Sequence, residues 1–139
     1  MASIPGFDAQ FYIQNNPDVA SAIASGNVNS AAQHFEDFGA TELRDPSQVF
    51  DMSVYGNNNP DVVAAVENGS LDSLYDHYLR FGVDEGRAPN GDFVFDPNFY
   101  ANQNPDVVNA LGDDSQALWN HFVQFGAEEG REPSEEAAT

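Results

Sequence analysis

The side chains that could do chemistry recur at regular intervals along the chain. Each third of the sequence contains one His, a Glu eight residues after it and an Arg two residues after that Glu: His34, Glu42 and Arg44; His77, Glu85 and Arg87; His121, Glu129 and Arg131. Imidazole and carboxylate groups bind metal ions and transfer protons, and a guanidinium group binds anions. The recurrence therefore indicates either three copies of a small site or three copies of a structural device.

Metal binding by the His residues would need ligands from several repeats. Successive His residues are separated by 43 and 44 positions, and each is followed directly by Phe35, Tyr78 or Phe122. Such an imidazole, beside an apolar side chain on a helix, is typically half-buried and bonded to a backbone carbonyl. We expect that structural role for all three His residues, with metal ligation as the alternative.

The recurring Arg residues are nearly the only cations of the chain. We expect a carboxylate of the same or the next repeat to hold each of them, and the candidates are Asp18, Asp61 and Asp106 or the neighbouring Glu. Bidentate pairing would fix the end of each repeat to its body. Binding of an external ligand is the alternative.

Calcium is the metal that an acidic, Lys-free chain favours. It needs six to eight oxygen ligands at one point, and the acids that recur at fixed places are candidate ligands, notably Asp51, Asp61, Asp96 and Asp106. The Asp-x-Asp-x-Asp-Gly spacing of an EF-hand loop is absent. We therefore expect no cofactor, with calcium or another divalent cation as the alternative.

Catalysis finds little support in the sequence. There is no Cys for a thiolate nucleophile or zinc site, and no Ser-His-Asp order, paired-carboxylate motif or phosphate-binding loop is evident. Enzymes seldom carry three copies of a site in a chain of this length. We expect a protein that is not an enzyme.

These side chains belong to three tandem repeats. Each repeat begins with Phe-Asp, continues with Asn-Pro-Asp-Val and ends with Phe-Gly followed by Glu-x-Arg-x-Pro. The boundaries are 7–47, 50–90 and 95–134, within a single domain that spans residues 1–139. A unit of about 43 residues is too small to bury an apolar core alone, so neighbouring repeats must complete it.

The motifs of each repeat predict about three short helices. Asp residues cap the first helix, with Phe before the cap and Tyr four residues after it as a hydrophobic staple: Asp8, Asp51 and Asp96. Asn residues cap the second, before a Pro: Asn16, Asn59 and Asn104. Its apolar stripe pairs Val19 with Ile23, Val62 with Val66 and Val107 with Leu111, and Gly26, Gly69 or Gly112 stops it.

The third predicted helix is longer and amphipathic. Its stripe is Ala31, Phe35 and Phe38, with equivalents Leu74, Tyr78 and Phe81, and Leu118, Phe122 and Phe125. Gly39, Gly82 and Gly126 are expected to end it in the left-handed conformation. The predicted fold is all-α, with the three repeats packed as a short solenoid or a compact array.

Charge limits the partners. The chain has 139 residues, 23 of them acidic and 4 basic, which gives a formal net charge of -19. Such a surface repels nucleic acid and anionic membranes. No apolar run approaches the length of a membrane span, so no membrane insertion is expected.

The motif series resembles a short repeat of bacterial secreted and surface proteins that often lies beside glycine-rich calcium-binding (RTX) repeats. The resemblance covers residues 7–134. Repeat one departs from it because Leu43 replaces the Gly of the other repeats, so we expect its last turn to differ. It implies an extracellular or cell-surface, non-catalytic module that mediates protein contacts or self-association. Export without a cleaved N-terminal signal peptide is the expected route, since no such signal begins the chain.

Overall fold

The computed structural model describes residues 4–135, and its regular elements are all helical, which confirms the all-α prediction. Within this range the only strand-like feature is an isolated bridge between Ser47 and Phe50. Residues 1–3 and 136–139 of the predicted domain lie outside the described part.

Three α-helices and a π-helix follow one another in the same order in all three repeats, and repeat two adds one further short helix. Repeat one contains α1 (Ala9–Asn15), α2 (Pro17–Ala24), α3 (Ala31–His34) and the π-helix π1 (Phe35–Gly39). Repeat two contains α4 (Met52–Asn58), α5 (Pro60–Glu67), α6 (Leu74–His77), π2 (Tyr78–Gly82) and α7 (Val83–Glu85). Repeat three contains α8 (Pro97–Gln103), α9 (Pro105–Leu111), α10 (Ser115–His121) and π3 (Phe122–Gly126).

The first helix of each repeat begins as predicted. The carboxylates of Asp8, Asp51 and Asp96 accept backbone N–H bonds from the third residue after them. The aromatic staple is also confirmed, because the Phe and Tyr ring centroids lie 5.2, 5.1 and 5.2 Å apart in the three repeats. Each staple fixes the angle at which the chain enters its first helix.

The prediction that Asn side chains cap the second helix is wrong. Asn16, Asn59 and Asn104 occupy the capping position, but their side chains do not bond to the first-turn N–H groups. Each amide Nδ2 instead donates to the carbonyl of the Tyr four residues earlier, at 2.7 to 2.8 Å. That carbonyl lies in the last turn of the first helix, where backbone acceptors lack helical partners.

The third helix differs from the prediction, because it widens from an α-helix into a π-helix. In repeat one the Ala40 N–H donates to the Phe35 carbonyl, five residues earlier, at 2.9 Å. The wider turn rotates Phe38 away from the apolar stripe, and its side chain is 50% exposed. Phe81 and Phe125, at the equivalent positions, are also exposed.

The left-handed residue that ends the helical region lies later than predicted. Gly82 has a right-handed φ of -60°, whereas Gly86 and Gly130 have φ of 75° and 78°. Leu43 takes the same left-handed conformation, with φ of 63°. The replacement of Gly by Leu43 in repeat one therefore changes the side chain but not the backbone conformation.

The second helices bury their first Val and stop where expected. Val19, Val62 and Val107 are buried. Leu111, predicted in the same stripe, is exposed, because α9 ends at that residue. The three predicted stops, Gly26, Gly69 and Gly112, all have positive φ.

The repeats share one aromatic core. Trp119 Nε1 donates to the Tyr75 hydroxyl at 3.0 Å, and that hydroxyl donates to the Pro5 carbonyl at 2.6 Å. Asn120 and Gln124 of repeat three bond to the backbone of Gly6 and Phe7. Repeats one and three are thus in direct contact, as in a compact array. None of the helices within residues 4–135 has the length and apolarity needed to cross a membrane.

Candidate functional site

Each recurring Arg lies at the centre of a hydrogen-bonded group that we call the arginine clamp: the Arg, an Asp, an Asn and a Glu of one repeat. In repeat two, Arg87 Nη1 and Nη2 each donate to a carboxylate oxygen of Asp61 at 3.0 Å. Nη1 also donates to Asn59 Oδ1, and Nε donates to Glu85 Oε1, both at 2.9 Å. The predicted bidentate pairing is confirmed, and the Asp belongs to the same repeat.

The other two clamps have the same geometry. Arg44 bonds to Asn16, Asp18 and Glu42, and Arg131 bonds to Asn104, Asp106 and Glu129, at 2.7 to 3.1 Å. Sequence reasoning found the Arg and its acids but missed the Asn as a partner. The signal was present in the sequence, because Asn and Asp recur two residues apart in every Asn-Pro-Asp-Val block.

Electrostatics favours the charged state of every clamp. The hydrogen bond from Arg87 holds the pKa of the Asp61 carboxyl below its usual value, and Asp18 and Asp106 are shifted downward by their own Arg partners. The Asp side chains are mostly exposed, whereas the Arg87 side chain is only 25% exposed. Each clamp therefore ties a largely covered Arg to the start of the second helix.

The His residues bond to Tyr hydroxyls, not to the backbone carbonyls that we predicted. Tyr12 and His34 Nδ1 are joined at 2.8 Å, Tyr55 and His77 at 2.9 Å, and Tyr100 and His121 at 2.7 Å. The Tyr belongs to the staple, which holds its hydroxyl at the third helix. The sequence contains the signal, since this Tyr recurs 22, 22 and 21 residues before the His.

Burial favours the neutral form of the Tyr hydroxyls and of two of the His residues. It raises the pKa of Tyr12 and of Tyr100 to about 12. Burial, together with the nearby Arg, lowers the pKa of His77 and of His121. A neutral imidazole can accept a hydrogen bond from the Tyr hydroxyl at Nδ1, so the pair is suited to holding two helices together.

The exposed Phe of each π-helix lies against the His. The ring centroids of His34 and Phe38 are 5.5 Å apart, those of His77 and Phe81 are 5.7 Å apart, and those of His121 and Phe125 are 5.5 Å apart. The three Phe side chains are 50%, 44% and 57% exposed. Every repeat thus presents one aromatic ring to solvent at the same position.

The calcium candidates are not brought together. Asp51 and Asp96 accept N–H bonds as helix caps, and Asp61 and Asp106 lie in clamps. In the part of the chain that the structure describes, no group of three or more His, Asp or Glu side chains is arranged to hold a metal ion. Calcium binding stays the alternative, and solution measurements must test it.

Comparison with known proteins gives no further assignment: no family model, curated protein or solved structure matches the chain. The resemblance to repeats of secreted bacterial proteins therefore rests on the motifs alone.

Proposed function

We propose that the chain is a non-catalytic structural and interaction module of a secreted or cell-surface bacterial protein, and that it mediates protein contacts or self-association. The observation that carries this proposal is the recurrence of one exposed Phe per repeat, at Phe38, Phe81 and Phe125. Soluble domains normally bury such side chains, and exposed aromatic residues are enriched where proteins meet.

The hydrogen bonds of the recurring polar residues support a structural role for these side chains. The acids, amides and guanidinium groups bond to one another inside each clamp, and each His bonds to a Tyr. A catalytic group needs free access to a substrate in a suitable protonation state. These groups are instead engaged in bonds that repeat with the same geometry in every unit.

The proposed location rests on the resemblance and on the charge. A formal charge of -19 keeps a domain soluble and limits unspecific association with nucleic acid or anionic lipid. Selective contact must therefore come from local features, such as an exposed aromatic ring beside a His.

Sedimentation of the full chain tests the aromatic surface. We expect concentration-dependent association at physiological salt, which screens the net charge over about 8 Å. Replacement of Phe38, Phe81 and Phe125 by Ser should abolish it while the helical circular dichroism is retained. The control carries Leu111→Ser, an equally exposed apolar residue outside the Phe series, and should associate like the wild type.

Two outcomes would count against the proposal. A wild-type chain that stays monomeric up to about 1 mM would overturn self-association, since contacts of functional strength form well below that concentration. Equal loss of association in the Leu111→Ser control would show that the Phe residues have no special role.

A further inference from the structure

A groove lies between repeats one and two, and its lining residues take no part in the clamps or the Tyr–His pairs. Its volume is 480 Å³, and buried side chains of Phe35, Ala40 and Tyr75 line it. Carboxylates also line it: Glu36 and Asp37 from repeat one, and Asp72 and Asp76 from repeat two. The volume lies in the range of small-ligand sites, which are about 300–1,000 Å³.

At the equivalent junction, between repeats two and three, a side chain bridges the two repeats. There Gln116 Nε2 donates to the Leu79 carbonyl at 2.9 Å and bridges the two repeats. Counted from the repeat His, Asp72 stands at the position of Gln116, and Glu36 stands at the position of Leu79. A carboxylate at position 72 has no N–H to donate, so it cannot make the corresponding bridge.

A second bridge is also replaced at the first junction. Ser115 Oγ donates to Asp84 Oδ1 between repeats two and three. The equivalent residues at the groove are Leu71 and Thr41. At the first junction, Glu36 and Asp72 thus take the places of Leu79 and Gln116. The bridge that closes the second junction is missing there, and the first junction is an open cleft with two acids.

The residues that the structure describes supply no cation to most of these acids. Its four basic residues are all Arg, and three of them lie in the clamps. The fourth, Arg80, pairs with Asp76 at 3.2 Å. Among the described residues, Glu36, Asp37 and Asp72 have no Arg or His within ion-pair distance. The described residues therefore offer these three acids no cation, which leaves them available to a cation from a partner.

We propose that this groove binds an Arg side chain in an extended segment of a partner protein, an inference that rests on the proposed interaction function. The methylene stem of Arg can pack against the partly exposed apolar side chains of Ile4, Pro5 and Leu79, which line the groove. The planar group then reaches Glu36 and Asp72 and can bond to a carboxylate through two N–H groups. A bare metal ion would gain nothing from the apolar side chains.

The test is a titration of the ¹⁵N-labelled full chain with the peptide acetyl-Leu-Arg-Leu-amide, followed through backbone amide shifts. We expect saturable shifts at residues around the groove. Citrulline in place of Arg keeps the shape but removes the charge, and should weaken binding about tenfold or more, as loss of a charged pair predicts.

Two double variants with the same charge change locate the binding. Glu36→Gln with Asp72→Asn should weaken binding about tenfold or more. Glu67→Gln with Asp113→Asn, two exposed acids that do not line the groove, should change it by about twofold or less. Both variants remove two negative charges, so they affect general attraction of the peptide equally.

Three results would overturn the inference: no saturable binding at up to about 10 mM peptide, equal binding of the citrulline peptide, or equal weakening by both double variants. Each leaves the sedimentation test of the Phe surface unaffected. A chain that associates through Phe38, Phe81 and Phe125 but does not bind the peptide would keep the proposed function and lose the groove.

Discussion

The hydroxyl group of Tyr55 occupies the space that a Cβ atom on Gly82 would fill. The same relationship joins Tyr12 to Gly39 and Tyr100 to Gly126. The Gly of the recurring Phe-Gly pair therefore makes room for the Tyr that bonds to His, and its function is close approach and not a left-handed turn.

Gly82→Ala should destabilise the fold, because the new methyl group must displace the Tyr55 hydroxyl or the backbone of π2. We expect a loss of about 1–3 kcal/mol in the free energy of unfolding, the usual cost of overpacking a core. Urea unfolding followed by circular dichroism measures it. A stability equal to that of the wild type would show that the hydroxyl moves aside freely.

Leu43→Gly should have the opposite effect. Leu43 holds a left-handed φ of 63° at an exposed position where the other repeats have Gly. Since that conformation costs a non-Gly residue about 1–2 kcal/mol, we expect a net gain of about 1 kcal/mol after the higher chain entropy of Gly. Thermal melting should show a higher Tm, and Gly86→Ala, the reciprocal control, should show a lower one.

Acid should weaken the fold before the carboxylates titrate. Burial lowers the pKa of His77 and His121 from the ordinary 6.5, so the unfolded chain binds more protons than the folded chain just below that pH. Stability must then fall as the pH decreases through about 6.5 toward the lowered values.

Urea unfolding between about pH 7.5 and pH 5.5 checks this dependence. The variant His77→Gln with His121→Gln should be less stable at neutral pH and should depend less on pH in this window. The clamp acids, with pKa values below 3.8, add a separate loss only at lower pH. An unchanged pH slope in the double variant would assign the effect to other groups.

Calcium should stabilise the chain mainly through screening of its negative charge. A specific site would add about 2.7 kcal/mol at a hundredfold excess over its Kd, or about 5–10 °C in Tm. We expect a smaller shift at constant ionic strength, with magnesium giving nearly the same result. A larger, chelator-reversible shift specific to calcium would establish the calcium alternative, and Asp51, Asp61, Asp96 and Asp106 would be examined first.

The sequence predicted features that depend on local spacing. The Asp caps and the Phe–Tyr staples follow from short motifs whose geometry is nearly independent of the rest of the fold. The Arg–Asp pairs join residues 25 or 26 positions apart and were predicted because the chain has few cations and each of these must find a carboxylate. The helical stripe failed at Phe38 because apolar residues spaced for an α-helix do not reveal that the helix widens into a π-helix.

Several partners that are distant in the sequence were not predicted. Asn59 looked like a cap, but its amide serves the preceding helix and Arg87, a residue 28 positions later. The Tyr75–Trp119 bond links positions where repeat one has Ala32, so no common motif marks it. Such contacts become evident only when the repeats are packed together.

We infer that the recurring Arg residues stabilise each repeat through the clamps, and urea unfolding of Arg→Ala variants tests this inference. Arg87→Ala leaves the Oδ1 atom of Asn59, a residue only 8% exposed, without its donor, and should cost about 1–3 kcal/mol. Arg44→Ala and Arg131→Ala should destabilise in the same direction. The control Arg80→Ala removes an exposed, non-recurring pair with Asp76 and should cost less than about 0.5 kcal/mol. Clamp variants as stable as the wild type, or no less stable than Arg80→Ala, would show that the clamps do not stabilise the repeats.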